Sequence, residues 1–141
     1  MEFKQFHSTS VVLDDSGIMI MGEPGIGKSD LALRLIDSGA TLIADDITIC
    51  RKIGEFIFLF SREETRGLLE VRDLGIINVP YVENIKLVMI VNLLKINKQR
   101  IPTNNLKTIM GKKFPRLSIV GSHASSIVKV KFKLNEINKF K

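Results

Sequence analysis

Three features of the 141-residue sequence predict an α/β domain of the P-loop type, a mixed sheet with a helix behind a glycine-rich loop. Gly22-Glu23-Pro24-Gly25-Ile26-Gly27-Lys28-Ser29 reads G-x-x-x-x-G-K-S, the pattern that cradles phosphate. The apolar run Ile18-Met19-Ile20-Met21 leads in as a strand, and Leu31, Ala32, Leu35 and Ile36 lead out on one helix face. Further apolar runs of strand length, Thr41 to Ala44 and Leu87 to Val91 among them, follow the helix.

Taken in order, Phe6 to Leu13 alternates loosely and reads as one strand. Asp14-Asp15-Ser16-Gly17 is a turn, and Ile18 to Met21 returns as the second arm of a hairpin. The helix is predicted to begin within Gly27-Lys28-Ser29 and to stop at Asp37-Ser38-Gly39, where glycine suits a left-handed C-terminal position. Thr41 to Ala44 is a short strand ending on Asp45-Asp46. Ile47 to Cys50 and Glu55 to Phe60 form a second hairpin across Arg51-Lys52-Ile53-Gly54. Ser61 to Gly67 is a polar surface loop, and Leu68 to Val79 sets two apolar clusters around a charged middle. Lys86 to Leu94 is a strand buried on both faces. The polar tract Lys95 to Lys113 reads as loop with a short helix at Leu106 to Met110. Leu117 to Val120 and the alternating run Ile127 to Leu134 read as final strands, and the last seven residues as frayed.

Length places residues 1–141 in a single domain. A 45% apolar content is enough for a core. No run of 18 apolar residues exists to span a membrane, and the first residues lack a signal-peptide core. The lone Cys50 excludes an internal disulfide and a cysteine zinc cluster, so the expected compartment is the cytoplasm. The net charge of +6 is uneven: residues 1–85 hold 8 Lys/Arg and 14 Asp/Glu, whereas residues 86–141 hold 13 Lys/Arg and only Glu136 as acid. No aromatic RNA-binding motif accompanies these lysines, so the reading is a solvated basic surface and nucleic acid is not the expected partner.

The glycines Gly22, Gly25 and Gly27 let backbone N–H groups converge on an anion. Glu23, Pro24 and Ile26 complete the loop, Lys28 reaches the outer phosphates, and Ser29 ligates Mg²⁺. The implied ligand is a nucleoside triphosphate such as ATP. Asp45 and Asp46, 17 and 18 residues after Lys28, end an apolar strand, where acids complete a Mg²⁺ site or act as base. Neighbouring strand residues point to opposite faces, so the two aspartates are expected to do different work. Ser8, Thr9 and Ser10 beside His7 lack the spacing of a hydrolase triad. Cys50 reads as a packing residue.

His7, the loop starting 15 residues later, Ala44-Asp45-Asp46 and Leu68-Leu69-Glu70-Val71-Arg72-Asp73-Leu74-Gly75-Ile76-Ile77-Asn78-Val79 together resemble the C-terminal catalytic domain of HPr kinase/phosphorylase. That resemblance implies an α/β P-loop kinase-like fold related to phosphoenolpyruvate carboxykinase, assembled as a homo-oligomer, usually a hexamer. It implies phosphorylation of a serine of the phosphocarrier HPr, within phosphotransferase-system regulation, and the reverse phosphorolysis. It also implies Lys28 and Ser29 at the phosphates and Mg²⁺, and the Asp45-Asp46 pair as source of the general base, Asp46 being the first choice and Asp45 supporting or metal-linked. Glu70 matches a second Mg²⁺ ligand, His7 a histidine near the active site, and Arg100 a catalytic arginine. The family usually has an N-terminal domain before this one; opening almost directly on His7, the sequence resembles the family's short forms, and a single catalytic domain is the expectation. Val120 to Ser126 falls where the family has an arginine-rich phosphorolysis loop, yet contains no arginine, so the expectation is a kinase with weak or absent reverse reaction. Two other readings remain open: a nucleotide-binding regulator without transfer chemistry, and a nucleic-acid-associated ATPase using the basic half.

Overall fold

β1 (Glu2–His7) and β2 (Thr9–Leu13) divide at Ser8, and the expected single strand over Phe6 to Leu13 is two strands with different neighbours. The computed structural model describes residues 2–96 and 105–140. β1 runs antiparallel to β5 (Ile47–Ile53), which pairs with β6 (Phe56–Ser61) around a turn at Gly54. β2 pairs antiparallel with β3 (Ser16–Met21) on one edge and with β4 (Thr41–Ala44) on the other. The break has a cause: the Ser8 N–H donates to the Asp46 carbonyl at 3.1 Å, turning the chain where the β4 to β5 connection also turns.

Asp14 and Asp15 make the two-residue β2–β3 turn with φ of 50° and 61°, a left-handed pair that short polar side chains tolerate. β3 ends at the glycine-rich loop, and α1 (Lys28–Asp37) leaves it, burying Leu31, Ala32 and Leu35. Their spacing is one helical stripe. Gly39 (φ 117°) terminates the helix, its N–H bonded to the Ile36 carbonyl.

A short 3-10 turn at Glu63–Thr65 leads to β7 (Leu68–Val71) and β8 (Gly75–Asn78), a separate two-stranded ribbon. β9 (Ile85–Leu93) is central, with Leu87 to Val91 all buried. It runs parallel to β3 on one edge and parallel to β11 (Lys112–Ile119) on the other, with β6 antiparallel against its first residues. β10 (Leu106–Ile109) is an antiparallel arm on β11. The main sheet is therefore mixed, in the order β1-β5-β6-β9-β3-β2-β4 with β11 and β10 branching from β9.

Two expected elements are corrected. Leu106 to Met110 is not a helix: Leu106–Ile109 forms β10, and Met110 (φ 49°) and Gly111 (φ 82°) supply its hairpin turn. Ile127 to Leu134 is not a strand. It lies in α2 (Ser126–Lys139), which also shows that the C-terminal stretch through Lys139 is helical. The run satisfies two periods at once. Val128, Val130, Phe132 and Leu134 alternate, but Ile127, Val130, Leu134 and Ile137 also recur at helical spacing, and this second set packs on the core. Val128 and Phe132, 53% and 72% exposed, lie outside it.

Both helices share one core layer with β2, β3, β9 and β11, through Val11, Ile18, Ile20, Leu35, Val91, Val130 and Leu134. The opposite sheet face packs Met19, Ile43, Cys50, Leu59, Ile90 and Phe114. The C-terminal ends of β3, β4 and β9 come out between these layers.

Candidate active site

Gly25 and Gly27, with φ of 79° and 108°, bend the loop in a way that L side chains resist, and a Cβ on either would meet nothing within 4 Å. The loop thus walls an open cradle. Gly27 caps α1 without a side-chain hydrogen bond, leaving first-turn amides to an anion. Half-buried Lys28 folds back over the loop, its Nζ donating to the Gly22 and Glu23 carbonyls at 2.9 and 3.1 Å.

Asp45 ends β4 and is 8% exposed. Its Oδ1 accepts the Ser29 hydroxyl at 2.6 Å and the Thr9 hydroxyl at 2.9 Å, while Oδ2 accepts the Glu70 N–H at 2.9 Å. Three donors thus meet the hydrogen-bonding needs of a buried side chain that would be costly to leave unpaired. The one side chain joins α1, β2 and β7. Asp46 follows with φ 68° and is exposed in the cleft. The left-handed turn separates the two aspartates: one is locked in, one is open.

A cavity of about 520 Å³ is lined by Thr9, Pro24, Gly25, Gly27, Lys28, Ser29, Asp30, Asp46, Glu70, Arg72 and Asp73, among others. The structure therefore gathers Lys28, Ser29, Asp46 and Glu70 around one space, with Asp45 beneath. Gly22, Glu23 and Ile26 face elsewhere, bordering a cavity with residues 92–96. His7 stands exposed at the end of β1, opposite Ile47 in the ladder, and does not line the cleft. Arg100 lies outside the described residues. Sequence reasoning missed Asp30 and Asp73 as lining residues and gave Thr9 no role. The signal for Thr9 was a hydroxyl run opening a strand whose remaining residues are apolar.

Residues fit a hard cation held by oxygen: hydroxyl and carboxylate donors converge, and no cysteine or histidine lines the cleft. Among the described residues no preformed group of three or more acidic, cysteine or histidine side chains could hold a metal alone. That pattern suits Mg²⁺, which takes few protein ligands together with substrate phosphates.

A glycine-rich loop between β3 and α1, with acids at the end of β4 one strand removed from β3, defines an α/β protein with its site at the strands' C-terminal ends. The family model of the HPr serine kinase C-terminal domain matches residues 1–133, and the chain belongs to that family. It is 31% identical over 106 residues to an HPr kinase/phosphorylase of Prosthecochloris aestuarii, covering 70% of this chain and 31% of that protein. It is 46% identical over 76 residues to an HPr kinase/phosphorylase of Clostridium tetani, covering 54% and 25%. The chain thus spans about a third or less of these relatives. The solved HPr(Ser) kinase/phosphatase of Coxiella burnetii superposes with a TM-score of 0.78 at 22% identity, over 96% of this chain and 95% of that one, and so shares the mixed α/β fold.

Proposed function

We propose that this domain transfers the γ-phosphoryl group of ATP, with Mg²⁺, to a serine of the phosphocarrier HPr. The observation that carries the reading is the Asp45 carboxylate, bonded at once to Ser29 of the glycine-rich loop and to the Glu70 amide, with Asp46 open beside it. Family membership supports the choice of substrate.

The donor's phosphates lie in the Gly25–Gly27 cradle against α1's first amides, an electrostatic seat that needs no side chain. Lys28 exchanges its two carbonyl partners for phosphate oxygens, gaining charge-assisted contacts. Ser29 and Glu70 would hold Mg²⁺, which neutralises charge that builds on the transferred group. Asp45 keeps the Ser29 hydroxyl hydrogen turned toward itself, so a lone pair of Oγ stays free. Asp46, exposed in the cleft, takes the proton of the acceptor serine hydroxyl and orients it for in-line attack. Positioning and charge compensation are the protein's main contributions.

Asp46→Asn separates binding from chemistry. It is expected to keep ATP affinity within about tenfold while transfer falls by about 10² or more. Titration of ATP by calorimetry, paired with single-turnover transfer, reads both. Near-normal transfer by this variant would move the base elsewhere.

A further inference from the structure

Three consecutive hydroxyl residues, Ser8, Thr9 and Ser10, are buried to 0%, 1% and 0% exposure. A buried hydroxyl is costly unless bonded, so the destinations of these groups are informative. Ser8 and Ser10 turn to one side, and each lies 2.7 Å from Thr48 Oγ1. Thr9, between them, faces the other way, as strand alternation requires. Its Oγ1 donates to Asp45 Oδ1 at 2.9 Å and accepts from the Asp46 N–H at 3.5 Å. The same side chain borders the cleft. One hydroxyl therefore touches both aspartates.

We infer that Thr9 is a positioning residue for this acidic pair, a role that rests on the kinase reading above. Ser29 holds Asp45 from the loop side. Thr9 holds the same oxygen from β2, a strand hydrogen-bonded on both edges between β3 and β4, so it supplies an anchor that the loop does not control. By accepting the Asp46 N–H it also steadies the left-handed residue whose carboxylate lines the cleft. Asp45 in turn bonds the Ser29 hydroxyl and the Glu70 N–H, the two residues that would hold Mg²⁺, so a group that fixes Asp45 sets metal affinity without touching the metal.

The experiment compares Thr9→Val, which keeps the shape and removes the hydroxyl, with Thr9→Ser, which keeps the hydroxyl. Thr9→Ala, which adds no bulk, is read in parallel. The probes are Mn²⁺ with a non-hydrolysable ATP analogue, followed by electron paramagnetic resonance, and the same analogue without metal, followed by calorimetry. Thr9→Val and Thr9→Ala are expected to weaken Mn²⁺ affinity about tenfold or more. Metal-free nucleotide affinity should hold, and Thr9→Ser should return to the wild-type value. In the nucleotide-free protein the Asp46 amide should exchange faster in Thr9→Val. Unchanged Mn²⁺ affinity in Thr9→Val overturns the inference while leaving the kinase reading standing. So does a Thr9→Ser variant as defective as Thr9→Val, because packing of the methyl group would then be the determinant. A wild-type protein that binds no nucleotide at all would remove the kinase reading, and this inference with it.

Discussion

Asp45 shows how much one side chain can organise when it is buried and fully bonded. Removing its carboxylate leaves the Thr9 and Ser29 hydroxyls and the Glu70 amide without their acceptor. Asp45→Ala is therefore expected to lower stability by about 2 kcal/mol, read as a shift of the urea midpoint, besides weakening Mg²⁺-dependent nucleotide binding. Lys28 is the opposite case. Among the described residues it bonds loop carbonyls alone, so Lys28→Ala should leave the circular dichroism spectrum intact and reduce transfer by about 10² or more. Turnover at the wild-type rate would end the phosphate-loop reading. Cys50 offers a pH signature. Burial pushes its thiol from 9.0 up to about 12, because the thiolate would lose its hydration. The folded state therefore favours the neutral thiol. This contribution is whole below pH 9.0 and is lost as pH rises toward about 12, since the unfolded chain deprotonates first. Cys50→Ala should flatten the fall of the urea midpoint over that window, and an equally steep fall would contradict it.

At the scale of elements, β3 meets β9 and β6 so closely that Gly17 has no room for a side chain. A Cβ there would stand 2.7 Å from the Lys86 carbonyl oxygen and 2.9 Å from Leu59 Cδ1. The first neighbour is backbone and cannot step aside, so Gly17→Ala should cost about 1–3 kcal/mol, measured as a lower melting temperature. α2 gives a paired test of its buried face. Leu134→Ala removes a side chain of zero exposure and should cost about 2–5 kcal/mol, whereas Phe132→Ala should be near neutral. The β3–loop–α1 unit was legible because apolar runs, glycines and a helical stripe all agree there. The Asp45-Asp46 terminus was legible for the same reason. α2 was not, because its apolar residues fit periods of two and 3.6 together; its 14-residue length, beyond ordinary strands, was the clue. β10 was misread because a short arm gains its stability from β11, which local propensity cannot see. Thr9's role depends on a contact 36 residues away, invisible to any local pattern.

For the molecule as a whole, no described residue of the basic half lines the cleft, so among the described residues that half brings no arginine to it. The segment from Val120 to Ser126 contains none, and Arg34, which reaches the Gly121 carbonyl from α1, is already paired with Asp30 at 3.1 Å. Phosphorolysis would bring inorganic phosphate beside a phosphoserine, two anions that repel unless cations separate them. Dephosphorylation of phosphoserine-HPr in millimolar phosphate is therefore expected to run slower than forward transfer, with pyrophosphate release as the readout. Everything proposed for this site turns on the forward reaction. Its most direct measurement is incorporation of label from γ-labelled ATP into HPr of the same organism, with Mg²⁺ present, followed by mapping of the modified residue. The expected outcome is Mg²⁺-dependent labelling of one HPr serine, lost with Asp46→Asn and with Lys28→Ala. Nucleotide binding with no label on HPr would contradict it.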